Sequence, residues 1–204
     1  MKNIKAIGLC GLARSGKDTF FSIIEQHFIE QKISCKKLSF AHALRQDVHE
    51  FLLNKTGIDS FTEVEEEKNI IRDFLVAYGT KLMRRIDETY WISKVKGEAE
   101  FLINSGCIPI FTDVRYPNEL KWIKYGLGGS IIHIRREGIV PPNEEEAVND
   151  PLLQEMADLL FYWNNFKTGH ASVLDIARVQ QKLNKLNENS KRTKTRSVYV
   201  GRSK

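Results

Sequence analysis

Apolar positions along this chain fall into two alternating patterns, short unbroken runs and longer stretches at helical spacing. Lys5 to Leu9 is the first run and reads as a buried strand. Asp18 to Ile29 follows as a helix, with Phe20, Ile23, Ile24, His27 and Phe28 on one face. Lys37 to Phe40 predicts a second strand, and Ala43 to Leu53 a helix presenting Leu44, Val48, Phe51 and Leu52. Gly57 and Asp59 break the pattern. An acidic stretch, Glu63 and Glu65 to Glu67, then leads a segment periodic through Ile70, Ile71, Phe74, Leu75 and Tyr78. Acid there suits the positive end of a helix macrodipole, and Gly79 reads as the interruption. Tyr90 to Ile103 predicts a further helix, ended by Asn104, Ser105 and Gly106. Cys107 to Thr112 and Ser130 to Ile134 are continuous apolar runs of the kind found in parallel strands covered on both faces. The first of them delivers Asp113 to its carboxyl end. Leu159 to Trp163 is the last run, before a closing helix from Val173 to Leu186. With no internal repeat and no linker, the alternation predicts one α/β domain: a three-layer sandwich around a mostly parallel five-stranded sheet, with inserted helices.

Composition changes this picture little. A chain of 204 residues has room for one such domain and its core, and 42% hydrophobic with 28% charged residues excludes a fibrous or disordered class. No run approaches the roughly 18 apolar residues that span a bilayer, and the opening residues lead into a strand instead of a signal segment, so a cytoplasmic location is expected. Cys10, Cys35 and Cys107 lack paired metal spacing and each reads as a buried free thiol. The net charge of +5 raises the question of nucleic acid, but Lys191, Arg192, Lys194, Arg196, Arg202 and Lys204 concentrate it beyond Asn189. The body over 1–188 is nearly neutral, and 189–204 reads as a solvated basic tail, so no nucleic-acid partner is expected. Trp122 and Trp163 read as core, His133 as a satisfied core histidine, and the remaining histidines lack zinc spacing.

The chemistry begins between the first strand and helix. Gly11-Leu-Ala-Arg14-Ser15-Gly16-Lys17 matches the phosphate-loop pattern G-x-x-x-x-G-K-[ST], with Asp18 where the hydroxyl usually stands and Thr19 next. Glycines let backbone N–H groups turn in around phosphate oxygens, the helix adds its positive end, and Lys17 reaches the β- and γ-phosphates. Asp18 either meets Mg²⁺, directly or through water, or is an ordinary first-turn acid, while Thr19 lies toward the α-phosphate. Arg14 either clamps phosphate, stacks on adenine, or is solvated. A second constellation, Thr112-Asp113-Val114-Arg115-Tyr116-Pro117-Asn118-Glu119, closes a buried strand where an open α/β sheet forms its ligand crevice. Asp113 there holds Mg²⁺ through water or orients an accepting phosphate, Arg115 neutralises charge, and Glu119 binds sugar hydroxyls or anchors Arg115. The alternative is a structural ion-pair network.

Taken in order, these motifs resemble the phage-type deoxynucleoside monophosphate kinases of the adenylate-kinase-like P-loop group. The resemblance runs over roughly residues 4–170: Arg14 to Thr19, Ser39-Phe40-Ala41 with Arg45, Arg72 ahead of Tyr78-Gly79-Thr80, and Arg84 before Tyr90-Trp91. It continues through Thr112 to Glu119, Arg135-Arg136, and Ala157-Asp158 with Asn164 and Asn165. It implies a P-loop fold with helical acceptor-binding and lid insertions, the lid near Arg135 to Glu146. It implies ATP and Mg²⁺ held by Gly11, Arg14, Ser15, Gly16, Lys17, Asp18 and Thr19, with metal at Asp18 and Thr19. A nucleoside or deoxynucleoside monophosphate would lie against Arg45, Arg72, Gly79, Thr80, Arg84, Trp91, Asp113, Arg115 and Glu119. Lys17, Asp113, Arg115, Arg135 and Arg136 would act in transfer, the last two as lid arginines. Relatives can be dimeric, which makes a homodimer an expectation. Val76 stands where relatives often carry a base-reading Gln, His42 where Asp is common, and Ala13 where some carry a basic residue, so the base is left open. Two other readings stay beside this one: a P-loop kinase for another small phosphorylated acceptor, similar to phosphomevalonate kinases, and an ATP-binding module using its basic tail on nucleic acid.

Overall fold

The computed structural model describes residues 4–163, 171–172 and 174–186. Asn164, Asn165, His170, Val173 and the basic tail lie outside the described residues. Five strands, β1 (Ile7–Cys10), β2 (Cys35–Leu38), β3 (Ile108–Val114), β4 (Ser130–Arg136) and β5 (Leu159–Trp163), form one sheet in the order β2-β3-β1-β4-β5. All four pairings are parallel. Alternate side chains feed two separate cores. Ile7, Leu9, Ile110, Ile132, Ile134 and Phe161 point to one face, and Cys10, Phe111, Val114 and Ile131 to the other. Burial on both faces explains why β1, β3 and β4 read as unbroken apolar runs.

Helix α1 (Lys17–Glu30) covers the first face with Phe20, Ile24 and Phe28, joined by a helix α8 over 174–186 through Val179 and Leu183. On the second face lie α2 (Phe40–Thr56), α5 (Tyr90–Asn104) and α6 (Pro117–Lys121). Between α2 and α5 runs α3 (Glu65–Val76), continued by a π-helical stretch Ala77–Met83 and a last turn α4 (Arg84–Ile86). Beyond β4, α7 (Glu144–Met156) returns the chain to β5.

The structure corrects four expectations. Lys37–Phe40 is not one strand: β2 ends at Leu38, and Phe40 opens α2 because Ser39 caps that helix, its Oγ accepting from His42 N at 3.1 Å. Gly79 does not interrupt its helix. The backbone widens into π geometry there, and the missing Cβ admits Leu44, whose Cδ2 would stand only 2.8 Å from it. Cys35 and Cys107 are half-buried, and only Cys10 is fully enclosed. Trp122 is also only partly buried, packing against the second core, whereas Trp163 is 5% exposed.

Candidate functional site

β1 and β3 are neighbours, with Cys10 opposite Val114, so their carboxyl ends deliver the glycine loop and the Asp113–Arg115 segment side by side. Each loop glycine answers a close approach. Gly11 has φ +125°, and a Cβ on it would lie 2.2 Å from Ile134 O; Gly16 has φ +89°, and a Cβ on it would lie 2.6 Å from Trp163 Nε1. Arg14 also takes a left-handed conformation, φ 64°, which a non-glycine residue adopts at a cost of about 1–2 kcal/mol. Such backbone reversals turn successive amides into an anion-binding nest. Ser15 is buried and its Oγ has no partner among the described residues, and Gly16 precedes α1 with no side-chain cap, which leaves the first N–H groups of α1 directed at the loop.

Lys17 Nζ donates to Gly11 O at 2.8 Å and Leu12 O at 2.7 Å, folding across its own loop. Burial, and then the Arg115 guanidinium, pull its proton affinity below the ordinary lysine value, while Glu146 pushes the other way. Asp18 is exposed and pairs with Lys37 at 3.1 Å; Thr19 beside it is half-buried. Among the described residues no group of three His, Cys, Asp or Glu side chains could hold a metal ion. An Asp and a Thr at the start of the helix that follows such a loop are oxygen donors of the kind Mg²⁺ takes alongside phosphate and water.

Asp113 ties two elements together. Its Oδ2 accepts from Ser39 Oγ and Ala41 N, both at 2.8 Å, and its Oδ1 from Phe40 N at 3.0 Å, fastening the start of α2 to the end of β3. Glu119, 1% exposed, accepts from Arg115 N at 2.9 Å and Tyr116 N at 3.2 Å, and pairs with Arg84. Burial pushes its carboxyl up, against the pull of Arg84. The Arg84 guanidinium carbon sits 3.6 Å from the centre of the Tyr116 ring. Tyr116 Oη donates to Glu145 Oε1 at 2.5 Å and meets Thr80 Oγ1 at 3.3 Å; burial, with Glu145, pushes that phenol up.

These groups surround a cavity of about 340 Å³. Every acceptor-side residue named from the sequence lines it except Gly79, whose carbonyl instead accepts from Trp91 Nε1 at 3.0 Å. Trp91 is at once wall and core, 2% exposed. Arg45 donates to Ser60 O at 2.7 Å, and Arg72 is exposed, 3.7 Å from Glu65. Sequence reasoning missed Lys68, Tyr116, Asn143, Glu145, Glu146 and Asn149 on the lining. Asn143 followed three residues on by Glu146 is a helix-start signal that would have located α7. Arg135 and Arg136 do not line this cavity. They close β4, where Arg135 Nη1 donates to Gln154 Oε1 at 2.9 Å and lies over the Tyr162 ring.

One carboxylate spans the two halves. Glu146 Oε2 accepts from Ala13 N, and Glu146 Oε1 accepts from Arg115 Nη1, each at 2.8 Å.

No family model matches the chain, and no curated protein matches it in sequence. Among solved structures it is similar to dephospho-CoA kinase from Campylobacter jejuni, with a TM-score of 0.52 and 14% identity over 93% of this chain and 98% of that one. A structure from Thermus thermophilus aligns at a TM-score of 0.47 and 12% identity, over 93% of this chain and 98% of its own. At 14% identity the first likeness establishes a shared fold. No helix among the described residues is long and apolar enough to cross a membrane.

Proposed function

We propose that this chain moves the γ-phosphoryl group of ATP onto the phosphate of a nucleoside or deoxynucleoside monophosphate, giving ADP and the nucleoside diphosphate. The observation that carries the reading is a shared boundary. Arg115 and Glu146 line both the small cleft over Gly11 and Leu12 and the cation-bearing cavity beside it. A phosphate gripped by the loop and one held in the cavity would therefore face each other across Arg115.

In this reading the loop amides and Lys17 hold the β- and γ-phosphates, and Lys17 exchanges its two carbonyl partners for phosphate oxygens. Mg²⁺, held through Asp18 and Thr19, would neutralise phosphate charge. Phe40, Leu44, Leu75, Val76 and Trp91 supply apolar wall for a base, while Arg45, Arg72, Arg84 and Arg115 supply cation for the acceptor phosphate. An acceptor oxygen attacks Pγ as the bond from Pγ to the bridging oxygen breaks and ADP leaves. Such a loose transition state needs positioning and charge neutralisation more than covalent help. Arg135 and Arg136 are assigned to the triphosphate, Arg135 leaving Gln154 as the site closes.

The test is ADP release measured with each ribo- and deoxyribonucleoside monophosphate in turn, and with DNA alone. Release that depends on one or more monophosphates supports the assignment. Stimulation by DNA alone, or only by a different phosphorylated small molecule, would reject it.

A further inference from the structure

We infer that Glu146 is the positioning residue that registers Arg115 against the phosphate loop. This inference rests on the phosphoryl transfer proposed above. An acid at the third position of a helix whose cap is Asn ordinarily folds back onto the cap's own amide. Here Asn143 Oδ1 takes Glu146 N at 2.8 Å, but the Glu146 carboxylate turns outward, one oxygen to Ala13 N and the other to Arg115. Its side chain is only 11% exposed, and as a carboxylate it makes both hydrogen bonds charge-assisted. The Arg115 side chain is 50% exposed and its stem is flexible; the pair with Glu146 Oε1 at 2.8 Å gives the guanidinium a fixed place.

The carboxylate is itself held. One turn on, Asp150 Oδ1 lies 2.9 Å from Nε2 of His133, a wholly buried residue of β4, which pins α7 to the strand next to β1. Loop, Arg115 and sheet thus share one frame through α7. Removing the carboxylate frees Arg115 to sample other rotamers and releases Ala13, so the arginine is misplaced when phosphoryl charge develops.

The test is a double-variant cycle on the full chain: Glu146→Ala, Glu146→Gln, Arg115→Ala and the double alanine variant, with melting temperature as the folding control. Glu146→Ala is expected to lower kcat about 30- to 100-fold with less than about a threefold change in KM for ATP, and in the Arg115→Ala background to cost about twofold or less. Glu146→Gln, which keeps one acceptor oxygen but no charge, should fall between wild type and Glu146→Ala. If Glu146→Ala does not fold, the Glu146→Gln pair with Arg115→Ala carries the same comparison. Independent, multiplicative losses would overturn the inference. So would a Glu146→Gln variant as active as wild type, or one that binds ATP more tightly, which would make the carboxylate a competitor for the loop. Wild-type protein that hydrolyses ATP but phosphorylates no monophosphate sinks the acceptor assignment alone, and the cycle is then read in ATP hydrolysis. With no nucleotide turned over at all, both fall.

Discussion

Lys17→Ala is expected to lower turnover about a thousandfold, some 4 kcal/mol of barrier, while the protein melts within a few degrees of wild type. The size follows from what an ammonium does beside a loose phosphoryl transition state, where charge on the leaving phosphate must be met by fixed cations in a dry site. The small cost to the fold follows from its contacts. Among the described residues Lys17 Nζ donates its hydrogen bonds to the carbonyls of Gly11 and Leu12, and its proton affinity is already lowered by burial and by Arg115, so removal takes away an ill-matched charge. Steady-state ADP release together with a melting curve checks both parts. Turnover within tenfold of wild type would remove Lys17 from the mechanism.

Arg84→Ala should instead strike the fold, by about 3–5 kcal/mol, the cost of leaving a buried charge without its partner. Glu119 is 1% exposed and among the described residues would keep the Arg115 and Tyr116 amides. Tyr116 would lose the guanidinium stacked on its ring. Burial pushes the Glu119 carboxyl up and Arg84 holds it back, so without Arg84 the folded variant takes a proton more readily than wild type. The deficit should therefore narrow as pH falls. Adding Glu119→Gln to Arg84→Ala should recover part of it. Urea unfolding at two pH values measures this, and a loss below about 1 kcal/mol would mean that the ion pair is not the cavity's structural anchor.

Much of the fold was legible because its signals are local. Each of the five strands lies at or within a few residues of its apolar run, and the glycine spacing of the phosphate loop is written in consecutive residues. What the sequence hid depends on partners distant in the chain. Phe40 opens α2 because Ser39 caps that helix and Asp113, near the end of β3, takes the Phe40 amide. Gly79 stays helical because Leu44 packs where its Cβ would be. Trp91 looked like a binding aromatic and is one wall of the cavity, yet its indole bonds Gly79 from inside the core. Pro151 and a weak apolar face obscure helix α7 in the sequence, although Asn143 and three glutamates mark its start. The contacts of Glu146 are hidden for another reason: they join it to Ala13 and Arg115, far away in the chain.

The central claim is that the Gly11–Lys17 loop holds a nucleoside triphosphate. Calorimetric titration of the full chain with a non-hydrolysable ATP analogue and Mg²⁺ tests it most directly. The account predicts one site with a dissociation constant on the order of micromolar to millimolar, weakened at least about tenfold in Lys17→Ala. No binding to the folded wild-type chain, or equal binding to Lys17→Ala, would contradict it.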